Sequence, residues 1–65
     1  MRFFNWRLDR IYKFIYIHDG ETILKQDIAS ATRLSKPTVS KWLKWLEKRK
    51  LIKIDGKKFS ILPPE

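Results

Sequence analysis

Residues 35–49, SKPTVSKWLKWLEKR, constrain this chain more than any other stretch. At the helical period of 3.6 residues, Val39, Trp42, Leu43 and Leu46 fall on one face, while Lys41, Lys44 and Lys48 fall on the other at i, i+3 and i+7. A helix over 36–49 is therefore predicted, with its apolar face buried and its cationic face in solvent. Ser35 is the expected N-cap, its hydroxyl accepting from a first-turn amide. Pro37 is tolerated in that turn because first-turn amides have no intrahelical acceptor. Proline disfavours the helical region for Lys36, which leaves a cap one residue later open.

The charge is concentrated around this helix. Residues 33–58 hold ten Lys and Arg against two acids, a net +8, which equals the net charge of the whole 65-residue chain. Self-repulsion of such a cluster is relieved by an anionic partner, nucleic acid first and a membrane surface second. The remaining composition excludes much else. The chain has no Cys and one His, so it offers no disulfide, no Cys-based zinc site and no catalytic triad; no metal and no cofactor is expected. Asp9, Asp19, Glu21, Asp27 and Glu47 are scattered and give no paired-carboxylate arrangement, so an enzyme is not expected. No apolar run reaches the ~18 residues of a membrane span. Nine aromatics and 43% hydrophobic residues argue against disorder. A single domain over 1–65 is expected, in a cytoplasmic setting (nucleoid-associated, or the host cytoplasm for a viral chain). Met1 and Pro63-Pro64-Glu65 are read as the ends of a free-standing small protein.

Three further elements are predicted. Residues 4–18 read as a helix, with Phe4, Leu8, Ile11, Ile15 and His18 on one face, Phe14 beside them, and Asp19-Gly20 ending it. His18 is expected as a packed histidine. Thr22-Ile23 could form a single extended pairing. A short helix is expected over 25–31, with Ile28 and Ala29 inward, followed by a turn at Thr32–Ser35. Residues 51–62 read as a hairpin in which Asp55-Gly56 forms a two-residue turn of type I′. That turn sets Ile54 opposite Lys57, Lys53 opposite Lys58 and Ile52 opposite Phe59. Like charges directly opposed destabilise a hairpin, so a Lys53–Lys58 pair would make sense if the hairpin tip meets phosphate.

The order helix, short strand, helix, turn, helix, basic hairpin is that of a mainly α fold with a small β-hairpin (α+β). The run Ile28-Ala29-Ser30-Ala31-Thr32-Arg33-Leu34-Ser35-Lys36-Pro37-Thr38-Val39-Ser40-Lys41, continuing through Trp42–Ile52, resembles the helix-turn-helix signature of winged-helix DNA-binding proteins. It is similar to MarR-type and small archaeal or viral winged-helix transcriptional regulators. The likeness covers about residues 22–62. It implies that Ala29 is small where two helices cross, that Val39 plugs that crossing, and that the 36–49 helix reads the DNA major groove. Carried over by resemblance, the DNA-binding positions are Ser35, Lys36, Pro37, Thr38, Ser40, Lys41, Lys44 and Lys48, with Lys53, Lys57 and Lys58 in the wing. Lys36, Ser40 and Lys41 are the base-edge candidates; Ser35, Thr38, Lys44 and Lys48 suit phosphates. Three departures stand out. Arg33 and Lys50 occupy positions where such regulators usually carry Gly, and Leu24 sits where helix 2 would be capped.

Helix 1 also carries apolar residues off its core face: Trp6, Tyr12, Tyr16 and Ile17. With Trp45 they predict a second buried surface, that of a homodimer. Trp45 itself is weighed first as packing against the wing or helix 1. The function expected is a sequence-specific repressor of transcription that occupies double-stranded DNA, with half-sites about 10–10.5 base pairs apart in a dimer and no small-molecule effector evident. The alternative is a winged-helix protein-interaction or replication-assembly module with only non-specific DNA affinity. The Lys53–Lys58 pair argues against that alternative.

Overall fold

The computed structural model describes residues 5–63. Three helices, α1 (Trp6–Ile17), α2 (Lys25–Thr32) and α3 (Lys36–Lys48), precede a two-stranded antiparallel sheet of β1 (Ile52–Asp55) and β2 (Lys58–Ile61). This small α+β arrangement is consistent with a winged-helix layout.

The α1 helix begins where Asn5 accepts from the amides of Arg7 and Leu8, at 2.9 and 3.5 Å. Phe4, expected on its core face, lies outside the described residues, as do Pro64 and Glu65. Leu8, Ile11 and Ile15 are fully buried, as their spacing requires. Tyr12 is buried with them, which corrects its assignment to a dimer surface. Tyr12 stands i+4 from Leu8 and i−3 from Ile15, on the same helical stripe, and that stripe is covered because α1 packs on three elements at once: α2, α3 and β2. Burial raises the pKa of the Tyr12 phenol above its ordinary value, with Tyr16 and Asp19 adding to the shift.

Ile28 and Ala29 from α2, Val39, Leu43 and Leu46 from α3, and Ile52 and Phe59 from the hairpin close one core against α1. The α2 helix starts at Leu24 without a side-chain cap. Its far end is tied to α1, since Arg10 Nη1 donates to the Thr32 carbonyl at 3.2 Å.

The hairpin register differs from the expected one. Ile52 pairs with Ile61, Lys53 with Ser60, Ile54 with Phe59 and Asp55 with Lys58. The loop is therefore Gly56-Lys57, and Asp55 closes the ladder. Of the two loop residues only Gly56 has positive φ, at 63°, the pattern of a type II′ turn rather than type I′. This register gathers Ile52, Ile54, Phe59 and Ile61 on one face, whereas the expected one would have put Lys57 among them. It also sets opposite charges across from each other beside the turn, in place of two lysines. The Lys53–Lys58 pair does not exist, and the case it made against a protein-binding wing falls with it.

The free edge of β2 is covered by the segment between α1 and α2. Gly20 N–H donates to the Phe59 carbonyl at 2.9 Å and Ile23 N–H to the Lys57 carbonyl at 2.7 Å. The Asp19 carboxylate accepts from Ile61 N–H at 2.7 Å. The single extended pairing expected at Thr22-Ile23 is present as a bridge from Thr22 to Lys58. His18, half-buried, lies against Phe14 with ring centroids 4.5 Å apart, and its Nδ1 is 3.4 Å from Glu21 Oε2. Among the described residues no helix is long and apolar enough to cross a membrane.

Candidate nucleic-acid interface

The α3 helix starts at Ser35, as expected. Its backbone is extended, and its Oγ accepts from Thr38 N–H at 3.3 Å and lies 2.8 Å from Thr38 Oγ1. The two hydroxyls thus engage each other across the first turn, where Lys36 and Pro37 take the first two helical positions. Behind them Val39 is fully buried and Val39 N–H donates to the Ser35 carbonyl at 3.0 Å, which anchors the helix start.

With Val39, Leu43 and Leu46 inward, the helical period carries Lys41, Lys44 and Lys48 to the far side. All three are exposed, as are Ser35, Lys36 and Pro37; Thr38 and Ser40 are half-buried. In the hairpin, Lys53, Lys57 and Lys58 are exposed too. The only described ion pairs are Lys13 with Asp9, at 2.9 Å, and His18 with Glu21. None of the cations of α3 or the hairpin therefore has an acidic partner among the described residues. Lys41 is held on its own helix, with Nζ 5.1 Å from the ring centroid of Trp42.

Two of the predicted site residues come together across the fold. Lys36, at the start of α3, and Lys57, in the hairpin turn, line one open hollow of about 340 Å³ floored by Ile23, Leu24 and Phe59. Lys25 at the start of α2 lines the same hollow. Sequence reasoning missed it, because Lys25 lies outside the charge-rich 33–58 stretch and reaches the site only through the Ile23–Lys57 tie. Lys48, at the other end of α3, does not line that hollow.

The residues assigned to a second interface divide. Trp6 is 52% exposed, Tyr16 66% and Ile17 72%, so these three do form an outward apolar set. Trp45 is half-buried against the core, edge-on to Trp42 at 6.1 Å, with the Arg49 guanidinium 4.7 Å from its ring centroid. The ring thus packs within the chain. Tyr12 takes no part in the outward set.

No family model matches the chain, and no curated protein or solved structure matches it.

Proposed function

We propose that this chain binds double-stranded DNA sequence-specifically and acts as a transcriptional repressor, with α3 in the major groove and the basic hairpin on the backbone or minor groove. One observation supports the reading most. The apolar face of α3 is spent on the core, and the opposite face presents Lys41, Lys44 and Lys48 to solvent with no acid to neutralise them. An α-helix fits the major groove, and unneutralised lysines release counterions when they meet phosphate. The site is all binding surface, so repression would come from occupying DNA that polymerase needs. We further propose that the protein acts as a homodimer, joined through Trp6, Tyr16 and Ile17 of α1, with two half-sites one helical turn apart.

Gel shift across a salt series tests the first proposal. With about four to six phosphate contacts per protomer, log K against log salt has a slope of about −4 to −5 per protomer. Lys41→Ala should weaken binding to a selected site more than to random duplex, since a base-edge contact carries sequence preference and a phosphate contact does not. Equal weakening on both would remove Lys41 from the base edge. Absence of any shift at low salt would favour the protein-interaction module. Sedimentation of Ile17→Asp beside the parent chain tests the dimer: the parent sediments as two chains and the variant as one.

A further inference from the structure

Two cations outside the predicted DNA-binding set hold a backbone conformation that costs them energy. Arg33 and Lys50 both have φ of 59°, and they are the only non-glycine residues with positive φ among those described. Each follows the last turn of a helix and closes it in the same way. Leu34 N–H donates back to the Ala29 carbonyl at 3.0 Å, and Leu51 N–H to the Leu46 carbonyl at 3.0 Å. These are the six-to-one bonds of a helix end whose left-handed residue is most often glycine. A side chain with a Cβ is disfavoured there, because its Cβ crowds the following carbonyl. Leu34 and Leu51, the residues just beyond, are half-buried and pack against the core, so the turn is fixed and the strain cannot be relieved by unwinding it.

The turns are held, but the cationic side chains that occupy them are not engaged. The side chains of Arg33 and Lys50 make no ion pair, no hydrogen bond and no stacking contact with a described residue, and both residues are exposed. Strained backbone that its surroundings hold in place clusters at functional sites. Their placement is specific. The 13-residue α3 is about 20 Å long at 1.5 Å per residue, whereas the major groove is about 12 Å wide. Arg33 precedes α3 by two residues from its cap and Lys50 follows its last turn. A helix seated in the groove at a slant would therefore bring its two ends, and with them these two cations, towards the phosphate chains that border it.

We propose that Arg33 and Lys50 each bind a backbone phosphate, one on either side of the groove that α3 occupies, and that this contact is why neither position is glycine. The inference rests on the proposal that α3 enters duplex DNA.

Arg33→Gly and Lys50→Gly test it, because the two readouts should move in opposite directions. Each variant should melt a few degrees higher, the left-handed turn being unstrained in glycine. Each should also bind duplex DNA about five- to tenfold more weakly at 0.1 M salt, with the salt slope reduced by about one. Arg33→Lys and Lys50→Arg, which keep the charge, should bind as the parent does. Glycine variants that bind with unchanged affinity and slope, while the parent binds DNA, would overturn the inference and leave the DNA-binding proposal standing. So would glycine variants that melt lower, since the cations would then serve the helix ends. A parent chain that does not bind duplex DNA would remove both proposals together.

Discussion

The outer faces of α1 and α3 are both rich in cations, yet they use them differently. On α1, Trp6, Arg10, Lys13 and Ile17 follow one another at helical spacing, opposite the buried stripe. The guanidiniums of Arg7 and Arg10 lie 4.5 and 5.0 Å from the Trp6 ring centroid. Arg10 also donates to the Thr32 carbonyl, and Lys13 pairs with Asp9 four residues back. Every described cation of α1 thus has a partner inside the chain. On α3, Lys36, Lys44 and Lys48 have no such partner, and only Lys41 leans on a ring. Charge count alone would not separate the two helices. Where the charges end separates them: those of α1 are engaged within the chain, while Lys36, Lys44 and Lys48 of α3 stand in solvent without a described partner, which is what the proposed DNA contact draws on.

The largest expected effect comes from inverting the two faces of α3. Val39→Asp puts a carboxylate at a fully buried position. Burying an unpaired charge costs more than the roughly 3–5 kcal/mol that a core of this size supplies. The variant should lose its helical circular-dichroism signal at 25 °C; a folded variant would mean that α3 is seated otherwise. Next comes the outward face. Lys41→Ala, Lys44→Ala and Lys48→Ala combined should reduce the salt slope of DNA binding by about two, for the phosphate contacts of Lys44 and Lys48, and weaken binding to a selected site several-hundredfold at 0.1 M salt. The melting temperature should hold or rise, because mutual repulsion is removed. A large drop in melting temperature would erase the contrast with α1. The smallest effect is the mirror image. Arg10→Ala should cost about 1 kcal/mol of stability, a drop in melting temperature of roughly 4–8 °C, with DNA affinity unchanged. Loss of affinity at unchanged stability would move Arg10 into the DNA-contacting set.

Much of the fold is legible in the chain, because capping chemistry and periodicity agree. Ser35 starts α3 with its own side chain and the apolar spacing of α3 predicts its burial position by position, whereas Asn5, read as lying within a helix over 4–18, is in fact the cap of α1. The hairpin is legible as a hairpin but not in its register. Asp55-Gly56-Lys57 supports two adjacent turns that differ in which pair forms the loop, and the one formed pairs Ile52 with Ile61 and leaves Lys57 in the loop instead of opposite Ile54. Tyr12 is legible too: at i+4 from Leu8 and i−3 from Ile15 the helix's own period places it on the buried stripe, and its assignment to an outer surface goes against that spacing. The candidate site is legible where it is local, in the lysines of α3. Lys25 is invisible because its neighbours Lys36 and Lys57 meet it only in three dimensions. The left-handed backbone of Arg33 and Lys50 shows in the sequence only as a departure from glycine.

The hydrogen bond from Ile23 to the carbonyl of Lys57 reaches into the hairpin turn itself, the part of such a loop that is ordinarily left to wander. With Asp19 and Gly20 gripping the same strand, the hairpin cannot swing about its base without tearing three ties at once. In deuterium oxide the Ile23 amide should therefore exchange as slowly as amides in the middle of α1, and the spacing between the turn and α3 becomes a fixed gauge to which a bound surface must conform.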